Sequence, residues 1–358
     1  RESEEADITA ILKHWRIIVY LIFPVIFIST LSLGGLAHLL WLSLPLAACL
    51  AVGAALGPTD LVAFASLSER FSFPKRVSNI LKGEGLLNDA SGLVAFQVAL
   101  TAWTTGAFSL GQASSSLIFS ILGGFLIGFL TAMTNRFLHS FLLSVRATDI
   151  ASELLLELSL PLVTFFLAEE VHVSGIIAVV VAGILKASRF KKITLLEAQV
   201  DTVTETVWHT VNFMLNGSVF VILGMELEMI AEPILTNPIY NPLLLLGSLV
   251  ALTFVLFVIR FVMIYGYYAY RTRRLKKKLN KYIKDMLLLT FSGVKGTVSI
   301  ATILLIPSDL EQKYPLLLFL VAGVTLVSFL TGLVVLPHLS DEQEESKDYL
   351  MHIAILNE

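Results

Sequence analysis

The sequence predicts an all-α polytopic membrane protein with about ten spanning segments, each near the ~20 residues a spanning helix needs. Three observations carry that prediction. Of the 358 residues, 56% are hydrophobic and 15% charged, and mean hydropathy is +0.81, which lies outside soluble composition. Long apolar stretches recur along the whole chain. Alternate loops collect Lys and Arg, as cytoplasmic loops do. The alternating ~10-residue pattern of an outer-membrane barrel is absent, so the spans are read as helices.

In order, the expected spans run over approximately 15–38, 42–67, 78–104, 112–138, 150–168, 172–187, 202–227, 242–269, 285–306 and 315–338. Lys13 and Arg16 precede the first. Arg70, Lys75 and Arg76 follow the second, Arg136 and Arg146 lie around the fourth, and Lys186, Arg189, Lys191 and Lys192 follow the sixth. The densest basic run, Arg271 to Lys278, follows the eighth. The opposite loops carry Glu169, Glu170, Glu228, Glu232 and Asp309, with Lys313 the basic exception. This alternation predicts an even number of spans and two cytoplasmic ends. Because the basic run sits where the positive-inside rule places it, no nucleic-acid partner is expected; the bilayer is the surrounding partner. The acidic tail from Asp341 to Lys347 is in mild tension with a cytoplasmic location, although the rule counts Lys and Arg more than net charge.

Residues 1–14 read as a cytoplasmic lead-in, 15–340 as the transmembrane domain and 341–358 as the start of a cytoplasmic tail. The chain opens on Arg1 with no signal peptide or targeting motif, so an N-terminal portion is expected to be missing. Cys49 stands alone, which excludes an intrachain disulfide and a cysteine metal cluster; it reads as a small core residue.

The second span carries Gly57-Pro58-Thr59-Asp60 at its centre. Pro58 removes a backbone donor and Gly57 weakens the helix before it, so a break is expected there. Freed backbone groups at membrane depth need protein, water or an ion to satisfy them. A broken helix bearing Thr59 and Asp60 is therefore a candidate cation site; a proline kink packed against neighbours is the plain alternative. In the third span Glu84, Asn88 and Ser91 share one helical face, while Gly85, Asp89 and Gly92 form the adjacent stripe. Small residues around Asp89 leave room for another backbone, with the broken second span as the natural neighbour. A carboxylate at this depth is expensive unless paired, neutral or facing water. Asp89 is thus the foremost ion or proton candidate.

The ninth span repeats the design, with Gly293 and Gly296 bracketing Lys295. Interrupted segments in corresponding positions of two halves point to an inverted repeat, relating spans one to three with spans eight to ten. Arg260 lies well inside the eighth span and needs an acidic partner; Glu84 is the candidate, which leaves Asp89 to titrate. Weaker signals are Glu153 and Glu157 near the start of the fifth span, read as helix-dipole partners. His209, Asn212 and Asn216 on the seventh read as interhelical hydrogen-bonding groups, and His139 and His172 as loop-edge residues without metal-ligand spacing. No phosphate-binding glycine loop or nucleophile elbow occurs. Neither an enzyme nor a cofactor is expected.

Gly57 to Asp60, Glu84 to Asp89, Ser174 to Gly183 and Ser292 to Ser299 together resemble the monovalent cation/proton antiporters of the NhaP and NHE type. The resemblance covers nearly the whole chain in the same order. It implies an inverted-repeat antiporter fold with two crossed discontinuous helices at spans two and nine. It also implies a core domain, about 15–104 and 242–338, and a scaffold within about 112–227 that forms a homodimer. On that alignment roughly the first two helices, largely scaffold, are missing. Residue by residue, Asp89 resembles the acid that binds cation and proton, and Asn88 its partner in the Asn-Asp pair associated with electroneutral exchange. Thr59 and Asp60 resemble the unwound-helix residues that complete the site. The metal would be Na⁺, or K⁺ or Li⁺, at Asp89 and Thr59. Glu84 with Arg260 resembles the intramembrane ion pair, while Pro58, Gly293, Lys295 and Gly296 resemble the support of the crossing. Gly85 stands where many members have Ser, and Ser292 and Lys295 replace the commoner Gly and Arg, which touches ion selectivity most.

The implied activity is exchange of a monovalent cation for H⁺ across the plasma membrane, serving pH homeostasis. A cation channel lined by acids and carbonyls and a transporter for an organic solute are the alternatives from sequence.

Overall fold

The structure is a computed structural model. It describes residues 13–60, 71–105, 110–145, 149–171, 173–187, 240–274, 276, 279–307, 315–339 and 341–342, with scattered positions between 202 and 234.

The first helix, α1, spans Trp15–Leu40. Pro24 interrupts it with a π-helical turn over Leu21–Val25, because proline offers no N–H to the regular ladder and its ring needs space. The second, α2, covers Leu46–Ala55 and is buried throughout its later part except at Leu50. Its small residues allow contact at backbone distance with α1: a Cβ at Gly53 would run into the Thr30 carbonyl. A two-residue antiparallel ladder pairs β1 (Phe71–Ser72) with β2 (Asp341–Glu342), with Phe71 opposite Glu342. It is followed by α3, Lys75–Thr105.

Next come α4 (Leu110–Ser144), α5 (Ile150–Glu170) and α6 (Gly175–Ala187). Asp149 caps α5: its carboxylate accepts from the Ser152 N–H at 2.7 Å, and the Ser152 hydroxyl accepts from the Asp149 N–H at 3.1 Å. The long α7 runs over Pro242–Arg274 and ends in Arg271, Arg273 and Arg274, cations that suit a helix C-terminus. After a 3₁₀ turn at Leu279–Tyr282, the chain enters α8 (Ile283–Phe291), breaks, and resumes as α9 (Thr297–Ile303) before α10 (Pro315–Leu339). Among the described residues five helices are long and apolar enough to cross a membrane: Trp15–Leu40, Phe119–Leu142, Ile150–Glu170, Pro242–Arg274 and Pro315–Leu339. Shorter apolar helices lie at Leu46–Ala55, Ser91–Thr104 and Ile177–Lys186. In α3 the polar residues from Lys75 to Asp89 confine the apolar part to the later turns.

The chain divides into two compact units, Thr101–Met225 with Arg1–Ile8 and Thr9–Leu100 with Glu226–Glu358. In the first unit α4, α5 and α6 pack on one another. Ala132, Leu160 and Ala182 form one buried cluster, and a Cβ at Gly128 would strike the Ala178 carbonyl. Outward lie large apolar side chains such as Phe119, Phe137 and Phe166, the pattern of a surface that meets lipid tails. The second unit has a core around Ile17, Leu21, Ile80, Ile264, Tyr268 and Leu289. Beside it the Arg76 guanidinium lies over the rings of Tyr268 and Tyr282, at 5.3 and 4.8 Å from their centroids.

Several expectations are corrected here. His139 is not at a loop edge but inside α4, with Nε2 3.0 Å from Glu153 of α5. Glu157 pairs with Lys186 of α6 and accepts from the Trp208 indole at 3.3 Å. The two acids therefore tie α5 to its neighbours rather than only complementing its dipole. His209 is exposed, whereas Asn212, Asn216 and His172 lie outside the described residues, as does the second span beyond Asp60.

Candidate functional site

The stretch Leu56–Asp60 that follows α2 and the break between α8 and α9 meet in the second unit. The Asp60 N–H donates to the Val294 carbonyl at 3.0 Å. Lys295 Nζ donates to the Gly57 and Pro58 carbonyls, both at 2.8 Å. In the other direction, Asp60 Oδ2 accepts from the Thr297 N–H at 2.7 Å and from the Thr297 hydroxyl at 3.0 Å. A half-helix that stops inside a membrane leaves carbonyls bare at its C-terminus and N–H groups bare at its N-terminus. Those ends carry partial negative and positive charge. Lys295 answers the end of α2, and Asp60 answers the start of α9. Close approach demands glycine at 296, since a Cβ there would collide with the Asp60 carboxylate.

Beside the crossing, Glu84 and Arg260 are 1% and 4% exposed and bind each other through two bonds, Nη1 to Oε1 at 2.7 Å and Nη2 to Oε2 at 2.8 Å. Arg260 Nε donates to the Leu289 carbonyl in the last turn of α8 at 3.0 Å. The guanidinium is thus directed inward by three bonds rather than reaching toward the bilayer surface. Glu84 Oε1 also accepts from the Thr59 hydroxyl at 3.3 Å. Asn88 Nδ2 in turn donates to Thr59 Oγ1 at 2.7 Å and to the Thr59 carbonyl at 3.0 Å. One polar chain therefore runs from Arg260 through Glu84 and Thr59 to Asn88.

Asn88 is fully buried, and its Oδ1 has no hydrogen-bond partner among the described residues. The next residue, Asp89, is half-buried on the adjacent stripe of α3. Gly92, one turn on, lies against Pro58 so closely that a Cβ would overlap its ring; this is what brings α3 onto the broken segment. The Ser91 hydroxyl accompanies the contact by donating to the Asn88 carbonyl at 2.8 Å and to the Ile22 carbonyl in the π-turn of α1 at 3.2 Å. Gly293 abuts the Arg260 side chain. Ser292 is buried with its hydroxyl lacking a partner among the described residues.

The structure thus places Thr59, Asp60, Glu84, Asn88, Asp89, Pro58, Arg260, Gly293, Lys295 and Gly296 in one region. It gives Asp60 a definite task as the cap of α9, whereas sequence reading placed it among the ion ligands. Two contributors escaped that reading: Thr297, whose hydroxyl shares Asp60, and Ser328 of α10, whose hydroxyl accepts from the Lys295 N–H at 3.1 Å. Thr297 was visible in principle as the first polar residue after Gly296. Ser328 carried no signal beyond being a hydroxyl in an apolar helix.

The model of the transmembrane sodium/hydrogen exchanger family matches residues 3–340. A sodium, potassium, lithium and rubidium/H⁺ antiporter of Bacillus pumilus (strain SAFR-032) is 34% identical over 341 residues, covering 92% of this chain and 51% of the relative. Its namesake in Bacillus subtilis (strain 168) is 36% identical over 332 residues, covering 90% and 49%. The chain spans about half the length of these curated relatives. Among solved structures, the sodium proton antiporter MjNhaP1 from Methanocaldococcus jannaschii superposes with a TM-score of 0.67 at 17% identity, covering 94% of this chain and 81% of that one. The likeness is one of fold, that of a polytopic α-helical antiporter. With a match that runs over almost its whole length, the chain belongs to the transmembrane sodium/hydrogen exchanger family.

Proposed function

We propose that the chain is the transport domain of a secondary antiporter that exchanges a monovalent cation for H⁺, and that it is not an enzyme. The observation that carries this reading is Asp89, half-buried beside Asn88 and the Thr59-Asp60 break. A poorly solvated carboxylate is stable only when a proton or a cation neutralises it, so the two ligands compete for one group. If the site changes its facing only when occupied, a gradient of one ion drives the other. Thr59 and the Asn88 amide oxygen would be the neutral oxygens that join Asp89 around a cation. Glu84 is already neutralised by Arg260, and Asp60 is engaged by α9. That leaves one carrier acid, one charge moving each way and an electroneutral cycle.

Na⁺ is the leading substrate, with Li⁺ and K⁺ beside it. The names of the Bacillus relatives, which cite sodium, potassium, lithium and rubidium, support a tolerant site, and Gly85 contributes no hydroxyl to narrow it. The core would be the unit built on α1 to α3 and α7 to α10. It would move as a rigid body against a scaffold containing α4 to α6, in a homodimer in the plasma membrane, with the C-terminus cytoplasmic and the cell's pH as the regulated quantity.

The test is fluorescence dequenching in proteoliposomes of the full-length protein, with Na⁺, K⁺ and Li⁺ added in turn. Asp89→Asn is expected to abolish cation-driven proton flux with folding intact by size-exclusion profile. Retained exchange would overturn the assignment. A current under voltage clamp in place of silent exchange would make it a channel.

A further inference from the structure

An apolar cavity with a volume of ≈ 420 Å³ lies between α7, α8 and α10. Four phenylalanines wall it: Phe254, Phe257 and Phe261 of α7 and Phe291 of α8. Phe257 and Phe291 are in mutual contact, their centroids 5.2 Å apart. At the mouth Phe254 is 67% and Val250 56% exposed, and both stand on the outward side of an apolar spanning helix, so the entrance opens toward lipid.

One polar group in the wall is unusual. Thr253 is 4% exposed, lines the cavity, and its hydroxyl has no hydrogen-bond partner among the described residues. Helical threonines in an apolar setting normally bond their own backbone, and the other two in the wall do. Thr290 and Thr331 donate to the Met286 and Val327 carbonyls at 2.8 and 2.7 Å. A buried donor left idle costs about 1–3 kcal/mol, and a ligand acceptor in the cavity would remove that cost.

We infer that this cavity binds a neutral lipophile of two aromatic rings bearing a carbonyl, taken up from the bilayer, with the Thr253 hydroxyl donating to the carbonyl. Size agrees, since an apolar cavity of ~150 Å³ holds one benzene ring and this one is nearly three times larger. Phenylalanine walls favour rings, which stack or meet edge to face. A saturated acyl chain would fill the space and leave Thr253 idle. Charged molecules are refused, because no ionisable side chain lines the cavity. None of the residues assigned to the cation site lines the cavity, and the inference does not rest on the antiport reading.

Benzophenone is a suitable probe because it has two rings and one ketone, and it labels C–H bonds on irradiation. With the full-length protein in phosphatidylcholine liposomes, saturable adducts are expected on Val250–Phe261, Leu287–Phe291 and Val327–Thr331, competed by unlabelled analogue. Diphenylmethane, which lacks the ketone, should compete several-fold less well. Thr253→Val should weaken benzophenone by roughly three- to tenfold and leave diphenylmethane unchanged, whereas Thr253→Ser should retain the difference. Adducts spread without saturation over lipid-facing helices would overturn the proposal. So would equal competition by both compounds in the parent protein, or displacement by oleic acid alone, which would assign the cavity to an acyl chain.

Discussion

Arg260 and Glu84 show what a buried charge requires: two parallel bonds to each other, a carbonyl on the third guanidinium nitrogen and a hydroxyl on the carboxylate. Removing one partner from such a pair costs about 3–5 kcal/mol, because the other charge stays buried alone. Glu84→Gln or Arg260→Met should each lower the unfolding temperature in detergent steeply, while the double variant recovers part of the loss. Strictly additive losses would mean that the two residues are not coupled. Outside the membrane, His14 just before α1 is held below the usual imidazole value, first by burial and then by Arg76, Arg271 and Lys13. Its folded value is depressed, so the stability it contributes is present above the unfolded value of 6.5 and lost as pH falls through the folded value. Thermal stability should therefore decline between about pH 7 and 5, and His14→Gln should flatten that slope. Asp89, Glu84 and Arg260 were legible in the sequence because a charge in an apolar run must have a reason. Thr297 and Ser328 were not, because a membrane hydroxyl usually bonds its own helix, and only the fold reveals a different partner.

Among the helices, the two breaks were read from Gly57-Pro58 and from Gly293 and Gly296, since proline removes a donor and glycine admits close contact. The reciprocal capping could not be read: nothing in the order of residues says that Lys295 turns to α2 and Asp60 to α9. Lys295→Met should leave the Gly57 and Pro58 carbonyls bare, at about 1–3 kcal/mol each. Loss of the fold, read as aggregation on size exclusion, is expected to exceed that of Lys295→Arg, which can still donate. Gly92→Val should likewise separate α3 from Pro58. The overpacking costs ~1–3 kcal/mol, and exchange should fall even where the variant remains monodisperse. The expected first span was right in extent, yet its π-turn at Pro24 was missed, because hydropathy does not register a change of helical pitch. His139 and Glu153 were misread for a related reason: α4 runs on past its apolar stretch to Ser144, carrying polar residues into contact with α5.

At the scale of the molecule, the family was legible because several motifs in a fixed order are far more specific than any one of them. Dimerisation is a proposal that cross-linking of the full-length protein in native membranes can test: a single dimer band is expected, and a monomer at every linker length would refute it. The crossing also bears on how such a chain is made. A helix of 10 residues, as in Leu46–Ala55, rises about 15 Å, half of the ~30 Å hydrocarbon core. Its bare carbonyls at Gly57 and Pro58 wait for Lys295, which the ribosome adds more than two hundred residues later. Until then the early segment cannot rest in lipid as an independent span. The contacts of the first half are therefore completed only when the second half arrives.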